Sequence, residues 1–395
     1  MHSPIDRDAR AAKRLSSLWF SRSLTRTFGR RSRFEQGVFV ARLAGRLLVM
    51  AARGSPLWFL NVVRLALFAV ACAPALLRCA YFWWTEVEIN VPYGPGLRHL
   101  CDVYRARGRG GAGGGGGGGG APVVVFVAGG AWVIGYKAWG VPLGRALSLH
   151  GICVVAPDYR NCPQCGVGGM VDDLDRALAW TREHVRDYGG DPRNVVLVGQ
   201  SAGAHLCALL LLKKAAAGTP ALARTLRGFV GVSGPYHVPA TAAHWRAKGF
   251  GRGLLDFIFG DERGMGDASP TVIAAGLARA GPARAAAAAA ALPPIRLIHG
   301  TADASAPPIA AELLEARLAL LGADVAPTAL YAHWTHTDPI LERPFAGDQR
   351  LHADLHAAVA EWVASDLPRF DADHPDLRRL CPQVFIDLGR WCMPF

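Results

Sequence analysis

The pentapeptide Gly-Gln-Ser-Ala-Gly at positions 199–203 places a serine between two glycines, in the pattern G-x-S-x-G. The apolar run Val195–Val198 before it predicts a buried strand, and Ala204–Ala217 after it predicts a helix. At such a junction the glycines permit a sharp turn that exposes the serine hydroxyl. The pattern favours Ser201 as a nucleophile for acyl transfer over its alternative, a structural turn before a helix.

A nucleophilic serine needs a general base, and the base needs a carboxylate that orients it. Asp303 follows the apolar run Ile295–His299, in a loop at the carboxyl end of a predicted buried strand. His333 and His336 both follow the last predicted strand. The order serine, acid, histidine is typical of α/β-hydrolases. These residues predict a serine hydrolase, and the choice between the two histidines as its general base stays open.

The tetrahedral intermediate of acyl transfer needs hydrogen-bond donors for its oxyanion. Glycines after the predicted strand Val123–Val127 can bring backbone amides close to the serine. The predicted donors are the amides of Gly129, Gly130, Ala131 and Ala202. Ala128 stands where the usual His-Gly-Gly-Gly pattern has its histidine, but a site built from amides does not need that side chain.

Strand and helix patterns alternate along most of the chain after residue 121, which predicts an α/β fold with a mostly parallel, doubly wound sheet. Predicted strands are Val123–Val127, Ile152–Ala156, Val195–Val198, Phe229–Ser233, Ile295–His299 and Thr328–Tyr331, after a hairpin of Thr85–Val91 and Leu100–Tyr104. Predicted helices are Leu143–Leu149, Asp172–Tyr188 and Ala204–Ala217. The region between Val238 and Pro293 is predicted to form a cap or lid.

Two segments have biased composition. Gly108–Gly120 contains eight consecutive glycines and predicts a flexible loop, not a phosphate loop, because no Lys-Ser or Lys-Thr follows it. Ala283–Ala291 is consistent with a helix or a linker. Cys162 and Cys165 form a single C-x-x-C pair without a second pair, so no metal site is predicted, and no cofactor is expected. Asp172 and Asp173 are interpreted as structural residues on a helix face.

The net charge of +12 is concentrated at the N-terminus, where residues 1–53 carry twelve Lys or Arg and three Asp or Glu. The rest of the chain is near neutral, which favours an anionic membrane surface over nucleic acid as the partner. A hydrophobic content of 51% excludes a disordered chain. Nine scattered cysteines exclude a small disulfide-stapled scaffold and suggest reduced thiols.

The basic segment precedes the apolar stretch Leu57–Trp84, of which Leu65–Trp84 is long enough to span a bilayer. Val38–Ala52 is a weaker candidate span. An amphipathic or buried helix and, for residues 1–33, a transit peptide are the alternatives. We therefore predict a basic arm and membrane anchor over residues 1–84 and a hydrolase domain over residues 85–395.

Five motifs together resemble plant prenylcysteine methylesterases, within the hormone-sensitive-lipase and carboxylesterase group of α/β-hydrolases. They are GGAWVIGYKAWG (129–140), DYRNCPQ (158–164), YGGDPRNVVLVGQSAGAH (188–205), LPPIRLIHGTAD (292–303) and THTDPIL (335–341). The resemblance covers about residues 80–395. The poly-glycine insert, the alanine-rich segment and the two C-x-x-C cysteines depart from the family pattern.

The resemblance implies Ser201 as nucleophile, Asp303 as orienting acid and His336 as general base, with His333 a bystander. It implies an oxyanion and substrate site lined by Gly129, Gly130, Ala131, Gln200 and Ala202. The implied substrates are prenylated cysteine methyl esters, and the implied location is the endoplasmic reticulum and Golgi membrane, with the catalytic domain facing the cytosol.

Two other functions remain open at this point. One is a general carboxylesterase or lipase. The other is a ligand receptor on the same fold, as the plant gibberellin receptors are. Those receptors lack the catalytic histidine, so the presence of His336 favours an enzyme.

Overall fold

The structure is a computed structural model that describes residues 56–107, 120–219, 225–247, 252–363 and 367–392. Within these residues eight strands form one sheet. They are β1 Glu88–Pro92, β2 Leu100–Tyr104, β3 Ala121–Val127, β4 Cys153–Pro157, β5 Gly190–Gln200, β6 Leu226–Val232, β7 Ile295–Gly300 and β8 Ala329–Tyr331. Most of the predicted Gly108–Gly120 loop and the candidate span Val38–Ala52 lie outside the described residues.

The strands are ordered β1-β2-β4-β3-β5-β6-β7-β8 across the sheet. The predicted hairpin is confirmed, since β1 pairs antiparallel with β2, which also pairs antiparallel with β4. Strands β3 to β8 pair parallel with one another. Every residue of β3 and β4 is buried, as expected for parallel strands covered on both faces. The predicted fold class is confirmed.

Helices cover both faces of this sheet. They are α1 Pro56–Ala71, α2 Ala73–Glu86, α3 Val141–Leu149, α4 Val167–His184, α5 Ala202–Ala216, α6 Val238–Ala247, α7 Arg252–Phe259, α8 Glu262–Asp267, α9 Pro270–Arg279, α10 Pro282–Ala290, α11 Ile309–Leu321, α12 Glu342–Ala346, α13 Arg350–Val363 and α14 Gln383–Cys392. Successive residues of β3 pack alternately into two apolar cores. One core contains residues of α4 and α5, and the other contains residues of α3 and α13.

The predicted cap region contains helices α6 to α10, and its function as a lid stays a prediction. The alanine-rich segment, which the sequence left open, forms α10. Pro282 begins this helix after Gly281, whose φ of +99° is a conformation that glycine adopts readily. Alanine has the highest intrinsic helix propensity, which accounts for the outcome.

The apolar stretch Leu57–Trp84 is divided between two helices, which meet at Cys72 just before Pro74. Of the helices in the described ranges, none is both long and apolar enough to cross a bilayer, so the predicted continuous span Leu65–Trp84 is not observed. The predicted start of the first strand at Thr85 is wrong, because α2 continues to Glu86 and the Thr85 hydroxyl donates to the Tyr81 carbonyl at 2.8 Å.

A buried charge cluster ties α2 to the sheet. Asp102 on β2 accepts a hydrogen bond from the Trp83 indole at 2.7 Å and forms an ion pair with Lys137. Both charged side chains are almost fully buried. Because an isolated buried charge is costly, this pairing holds Trp83 and the end of α2 against the hydrolase body.

Candidate active site

Ser201 lies at the turn between β5 and α5, with φ of +53° and ψ of −122°. Its backbone N–H donates to the Val232 carbonyl on β6 at 2.8 Å, which fixes the turn. A Cβ added at Gly203 would lie 2.1 Å from the Val127 carbonyl oxygen, and one at Gly199 would lie 2.7 Å from the Ala204 backbone. The two glycines of the motif are therefore required by close backbone approach.

The structure brings Ser201, His336 and Asp303 together from three separate loops. His336 Nε2 is 2.7 Å from Ser201 Oγ, and His336 Nδ1 is 2.7 Å from Asp303 Oδ2. A proton on Nδ1 donates to the carboxylate and leaves Nε2 as an acceptor for the serine hydroxyl. This is the arrangement of a nucleophile, a general base and an orienting acid.

Asp303 is held by more than the histidine. Its Oδ1 accepts hydrogen bonds from the amides of Ser305 and Ala306, each at 2.9 Å. Burial favours the neutral carboxyl and by itself raises the pKa of Asp303, but nearby His336 and the hydrogen bond from His299 outweigh it. The pKa of Asp303 therefore lies well below its ordinary value, and the group is a carboxylate at neutral pH.

His299 is a site residue that sequence reasoning missed. Its Nε2 lies 3.1 Å from Asp303 Oδ2 and 2.6 Å from the Ala306 carbonyl oxygen. Since both neighbours are acceptors, Nε2 carries the proton and donates to them. The feature of the sequence that points to His299 is its position at the end of a predicted strand, four residues before the predicted acid.

The loop that carries His336 is tied to the rest of the site. Gln200 Nε2 donates to the His336 carbonyl oxygen at 3.3 Å. The Ala302 amide donates to the Trp334 carbonyl at 3.0 Å, which links the acid loop to the base loop. His333 is exposed, with its amide bound to Thr301 Oγ1 at 2.8 Å. The structure therefore brings His336 to the serine, while the side chain of His333 lies at the surface.

Glu342 lies beneath the same loop and is fully buried. Its Oε1 accepts from the Thr337 hydroxyl at 2.8 Å, and its Oε2 has no hydrogen-bond partner within the described ranges. Burial raises the pKa of Glu342 to about 7, because the Thr337 hydrogen bond only partly offsets desolvation and nearby Asp338 raises the pKa further. Sequence analysis gave no indication of this carboxyl.

The predicted oxyanion loop begins at Gly129, beside the serine. A Cβ at Gly129 would lie 2.7 Å from Ser201 Cβ and 2.5 Å from Gln200 Oε1. Gly130, Ala131 and Trp132 follow with φ of +131°, +51° and +60°. Ala202 begins α5, where backbone N–H groups have no intrahelical acceptor. The backbone of both segments therefore approaches Ser201 closely enough to offer amides to an oxyanion.

Trp132 connects the oxyanion loop to the cap region. Its ring packs edge to face on Trp245 of α6 and Phe259 of α7, at interplanar angles of 66° and 80° and centroid distances of 5.1 and 4.9 Å. Its indole N–H donates to His205 Nδ1 at 3.3 Å, and His205 Nε2 donates to the Ala268 carbonyl at 2.7 Å. Burial lowers the pKa of His205 to about 4, so this linking histidine is neutral at pH 7.

The remaining candidate groups lie elsewhere. Cys162 and Cys165 are free thiols, and burial raises the pKa of Cys162 to about 12 and that of Cys165 to about 11. Thiols with such pKa values are poor nucleophiles and poor ligands at neutral pH. In the described part of the chain, His, Cys, Asp and Glu side chains do not gather in groups of three or more that could hold a metal ion.

Comparison with known proteins identifies relatives of the chain. The family model described as BD-FAE matches residues 116–231. A probable isoprenylcysteine alpha-carbonyl methylesterase of Oryza sativa subsp. japonica is 34% identical, over 86% of this chain and 78% of that protein. The isoprenylcysteine alpha-carbonyl methylesterase of Arabidopsis thaliana is 32% identical, over 86% of this chain and 77% of that protein.

Solved structures agree on the fold. Esterase B from Lactobacillus rhamnosis aligns with a TM-score of 0.56 at 17% identity, covering 77% of this chain and 96% of the esterase. Esterase 2 from Thermogutta terrifontis aligns with a TM-score of 0.52 at 19% identity, covering 71% and 95%. At these identities the likeness establishes the α/β-hydrolase fold. The chain is a carboxylic ester hydrolase and belongs to the isoprenylcysteine alpha-carbonyl methylesterase family.

Proposed function

We propose that the protein hydrolyses the methyl ester of a prenylated cysteine to the free carboxylate and methanol. The observation that carries the proposal is the 2.7 Å contact of Ser201 Oγ with His336 Nε2, in a chain whose relatives are named as isoprenylcysteine methylesterases. Ser201 is the nucleophile, His336 the general base and Asp303 the acid that orients it.

The reaction proceeds in two acyl transfers. Ser201 Oγ attacks the ester carbonyl carbon as its proton passes to His336 Nε2, which is within hydrogen-bond distance. The amides of Gly129, Gly130, Ala131 and Ala202 stabilise the oxyanion. The intermediate collapses, and His336 gives the proton to the methoxy oxygen, so methanol leaves and an acyl-enzyme remains.

Water completes the cycle. It attacks the acyl carbon while His336 Nε2 accepts one of its protons, and the second tetrahedral intermediate forms at the same amides. His336 then returns the proton to Ser201 Oγ, and the cysteine carboxylic acid leaves and loses its remaining proton to the solvent. Asp303 keeps its charge throughout and stabilises the imidazolium, which agrees with its lowered pKa.

The side chains of the cap region are consistent with a substrate that carries a long apolar group. Trp245 and Phe259 bring apolar rings from α6 and α7 onto Trp132, next to the predicted oxyanion loop. His244 and Trp245 also reach the acid loop, where the Trp245 indole donates to the Ser305 carbonyl at 3.2 Å. Apolar side chains in this part of the cap suit a prenyl chain, since its burial is driven by the hydrophobic effect.

The test compares two substrates on the full chain. Methanol release from a farnesylcysteine methyl ester and phenol release from an aryl acetate are measured in parallel, with Ser201→Ala as the blank. A higher kcat/KM for the prenylated ester supports the proposal. A higher kcat/KM for the aryl acetate leaves a general carboxylesterase, and no turnover of either ester by the wild type contradicts an enzyme.

We also propose that the protein acts at a membrane surface. Large apolar side chains of α1, α2 and α14 are exposed, among them Val70, Leu77, Tyr81, Leu388 and Trp391. The opposite side of α2 is buried in the protein, where Ala75, Cys79 and Phe82 pack. A helix with one face against the protein favours the interfacial arrangement over a span.

The proposed location is the endoplasmic reticulum and Golgi membrane, with the hydrolase domain in the cytosol. The basic arm of residues 1–53 supports a cytosolic location of the domain, because its positive charge is attracted to anionic lipids. Protease digestion of sealed microsomes tests the topology with a C-terminal tag. Digestion without detergent supports a cytosolic domain, whereas a tag protected until detergent is added contradicts it.

A further inference from the structure

Helix α14 lies on α1 and has two different sides. Ile386 is fully buried, while Val384 and Trp391 are exposed by 68% and 77%. A Cβ added at Gly389 would lie 3.0 Å from Cys72 Sγ, at the end of α1. The helix is therefore seated closely on α1, which fixes the direction of the side chain at the next position, Arg390.

Arg390 reaches the loop that carries His336. Its Nη2 donates to Asp338 Oδ1 at 2.5 Å. The other carboxylate oxygen, Oδ2, accepts from the Thr335 amide at 2.8 Å and the Thr335 hydroxyl at 3.1 Å. The carboxylate of Asp338 thus connects α14 directly to the residue before His336.

Asp338 depends on this cation. Its side chain is 1% exposed, and a buried carboxylate without a partner is strongly destabilising. The only other cation paired with it in the described ranges is Arg343, whose Nε is at 3.4 Å and which also lies 3.8 Å from Asp348. Arg390 makes the closer contact and is the main compensating charge.

We propose that Arg390 is a positioning residue for the general base. Through Asp338 it holds the loop 335–341 so that His336 Nε2 remains in line with Ser201 Oγ, and α1, on which α14 is seated, thereby supports the catalytic histidine. This inference rests on the proposed serine-esterase function. It does not depend on the prenylated substrate, because the contacts involve only the chain itself.

Steady-state kinetics on a soluble aryl acetate test the proposal with Arg390→Ala and Arg390→Met, the second of which keeps most of the apolar stem. A displaced base lowers kcat by about 10- to 100-fold, with little change in KM. Arg390→Lys restores part of the loss because it keeps the positive charge. The concentration of functional sites is measured by phosphonate labelling of Ser201, so that an unfolded fraction does not count as a lower kcat.

The matched control is Asp387→Asn, one turn earlier on the same helix. Asp387 is exposed and lies 3.7 Å from Arg390 Nη1, so the variant changes a charge on α14 without touching Asp338. Its kcat is expected to equal that of the wild type. The double variant Arg390→Ala with Asp338→Asn is expected to lose no more than the more damaging single variant, since both break one connection.

A different pattern overturns the inference. If Arg390→Met has the wild-type kcat per labelled site, or if Arg390→Lys is no better than Arg390→Met, Arg390 does not position the base. If the wild type hydrolyses no ester, the proposed function fails and this inference fails with it. If the wild type hydrolyses the aryl acetate, and Arg390→Ala and Arg390→Met have the same kcat as the wild type, the positioning role is contradicted and the esterase function is not.

Discussion

Besides the contact of His299 with Asp303, the described part of the chain contains two buried histidine–aspartate pairs with nearly the same contact distance. His336 Nδ1 lies 2.7 Å from Asp303, and His99 Nε2 lies 2.9 Å from Asp173. The side chains of both histidines are about 90% buried, at 11% and 8% exposure. A short contact between an imidazole and a carboxylate therefore does not by itself identify a catalytic pair.

The second ring nitrogen separates the two pairs. Nδ1 of His99 accepts a hydrogen bond from the Gly96 amide at 3.0 Å, so its lone pair is used by the backbone. Nε2 of His336 faces the Ser201 hydroxyl, a group that can give up a proton. A general base needs a free lone pair directed at a proton that moves in the reaction, and only His336 of these two has one.

The carboxylates also differ in their other partners. Asp173 is bound by Arg160, which donates Nη2 to Oδ1 at 2.7 Å and Nε to Oδ2 at 2.9 Å. Burial by itself raises the pKa of Asp173, but the hydrogen bonds from His99 and Arg160 outweigh it and lower the pKa to about 2. Among the residues that the structure describes, no arginine donates a hydrogen bond to Asp303, so its charge remains available to stabilise an imidazolium.

The largest expected difference between the pairs is in turnover. His336→Ala removes the proposed base and should lower kcat by about 10⁴- to 10⁶-fold, with little change in the thermal unfolding midpoint. His99→Ala should leave kcat within a few-fold and lower the midpoint, because Asp173 loses a buried hydrogen bond. Aryl acetate kinetics and calorimetry on both variants measure the two effects. Exposed His333→Ala is the control, and its inactivity would overturn the assignment of the base.

The next comparison exchanges each carboxylate for an amide. Asp303→Asn should lower kcat by about 10⁴-fold, because an amide stabilises the wrong tautomer of the histidine. Asp173→Asn should keep kcat near that of the wild type and destabilise the fold, since Arg160 loses its charged partner. The kcat of both variants and their urea midpoints decide between these roles. A large loss of kcat in Asp173→Asn would mean that the two pairs are coupled.

A third test concerns two glycines, one near each pair. Gly129→Ala places a methyl group 2.5 Å from Gln200 Oε1 and 2.7 Å from Ser201 Cβ, so it displaces the oxyanion loop. Loss of one oxyanion donor costs about 10²- to 10³-fold in kcat. The control is Gly168→Ala on α4, the helix of Asp173, where an added Cβ meets no atom within 4 Å. An unchanged kcat in Gly129→Ala would remove this loop from the oxyanion site.

The sequence could predict Ser201 and Asp303 because both residues sit in recognisable local contexts. The G-x-S-x-G turn requires glycines, and Asp303 follows a strand whose apolar run is plain in the sequence. The local pattern left either His333 or His336 as the base, and the family resemblance selected His336. The core strands were predicted for the same reason, since the parallel strands are buried on both faces and read as continuous runs.

The second pair has no such local signature. Asp172 and Asp173 are adjacent and were both interpreted as helix-face residues, yet Asp172 is exposed and Asp173 is buried. The partner of Asp173 lies 74 positions away on a different element. Likewise the contact of Arg390 with Asp338 spans 52 positions. Tertiary contacts of this kind leave no periodicity in the sequence.

The smallest expected effects come from the pH dependence of stability, where Asp173 contrasts with buried Glu342. The pKa of Asp173 is lowered to about 2 by its donors, so its stabilisation is present above its unfolded pKa and is lost as the pH falls toward 2. The advantage of the wild type over Asp173→Asn should therefore shrink by about 1 kcal/mol between pH 6 and pH 3.

Glu342 should show the opposite slope, because no cation of the described segments is hydrogen-bonded to it and burial raises its pKa to about 7. Its native state holds a proton that the unfolded state has lost, so the wild type loses stability as the pH rises from about 4.5 to 7. Relative to the wild type, Glu342→Gln should gain up to about 3 kcal/mol across this range. Urea unfolding of both variants from pH 3 to pH 8 measures the slopes. Parallel slopes in the two variants would show that burial, and not the cationic partner, governs both carboxyl groups.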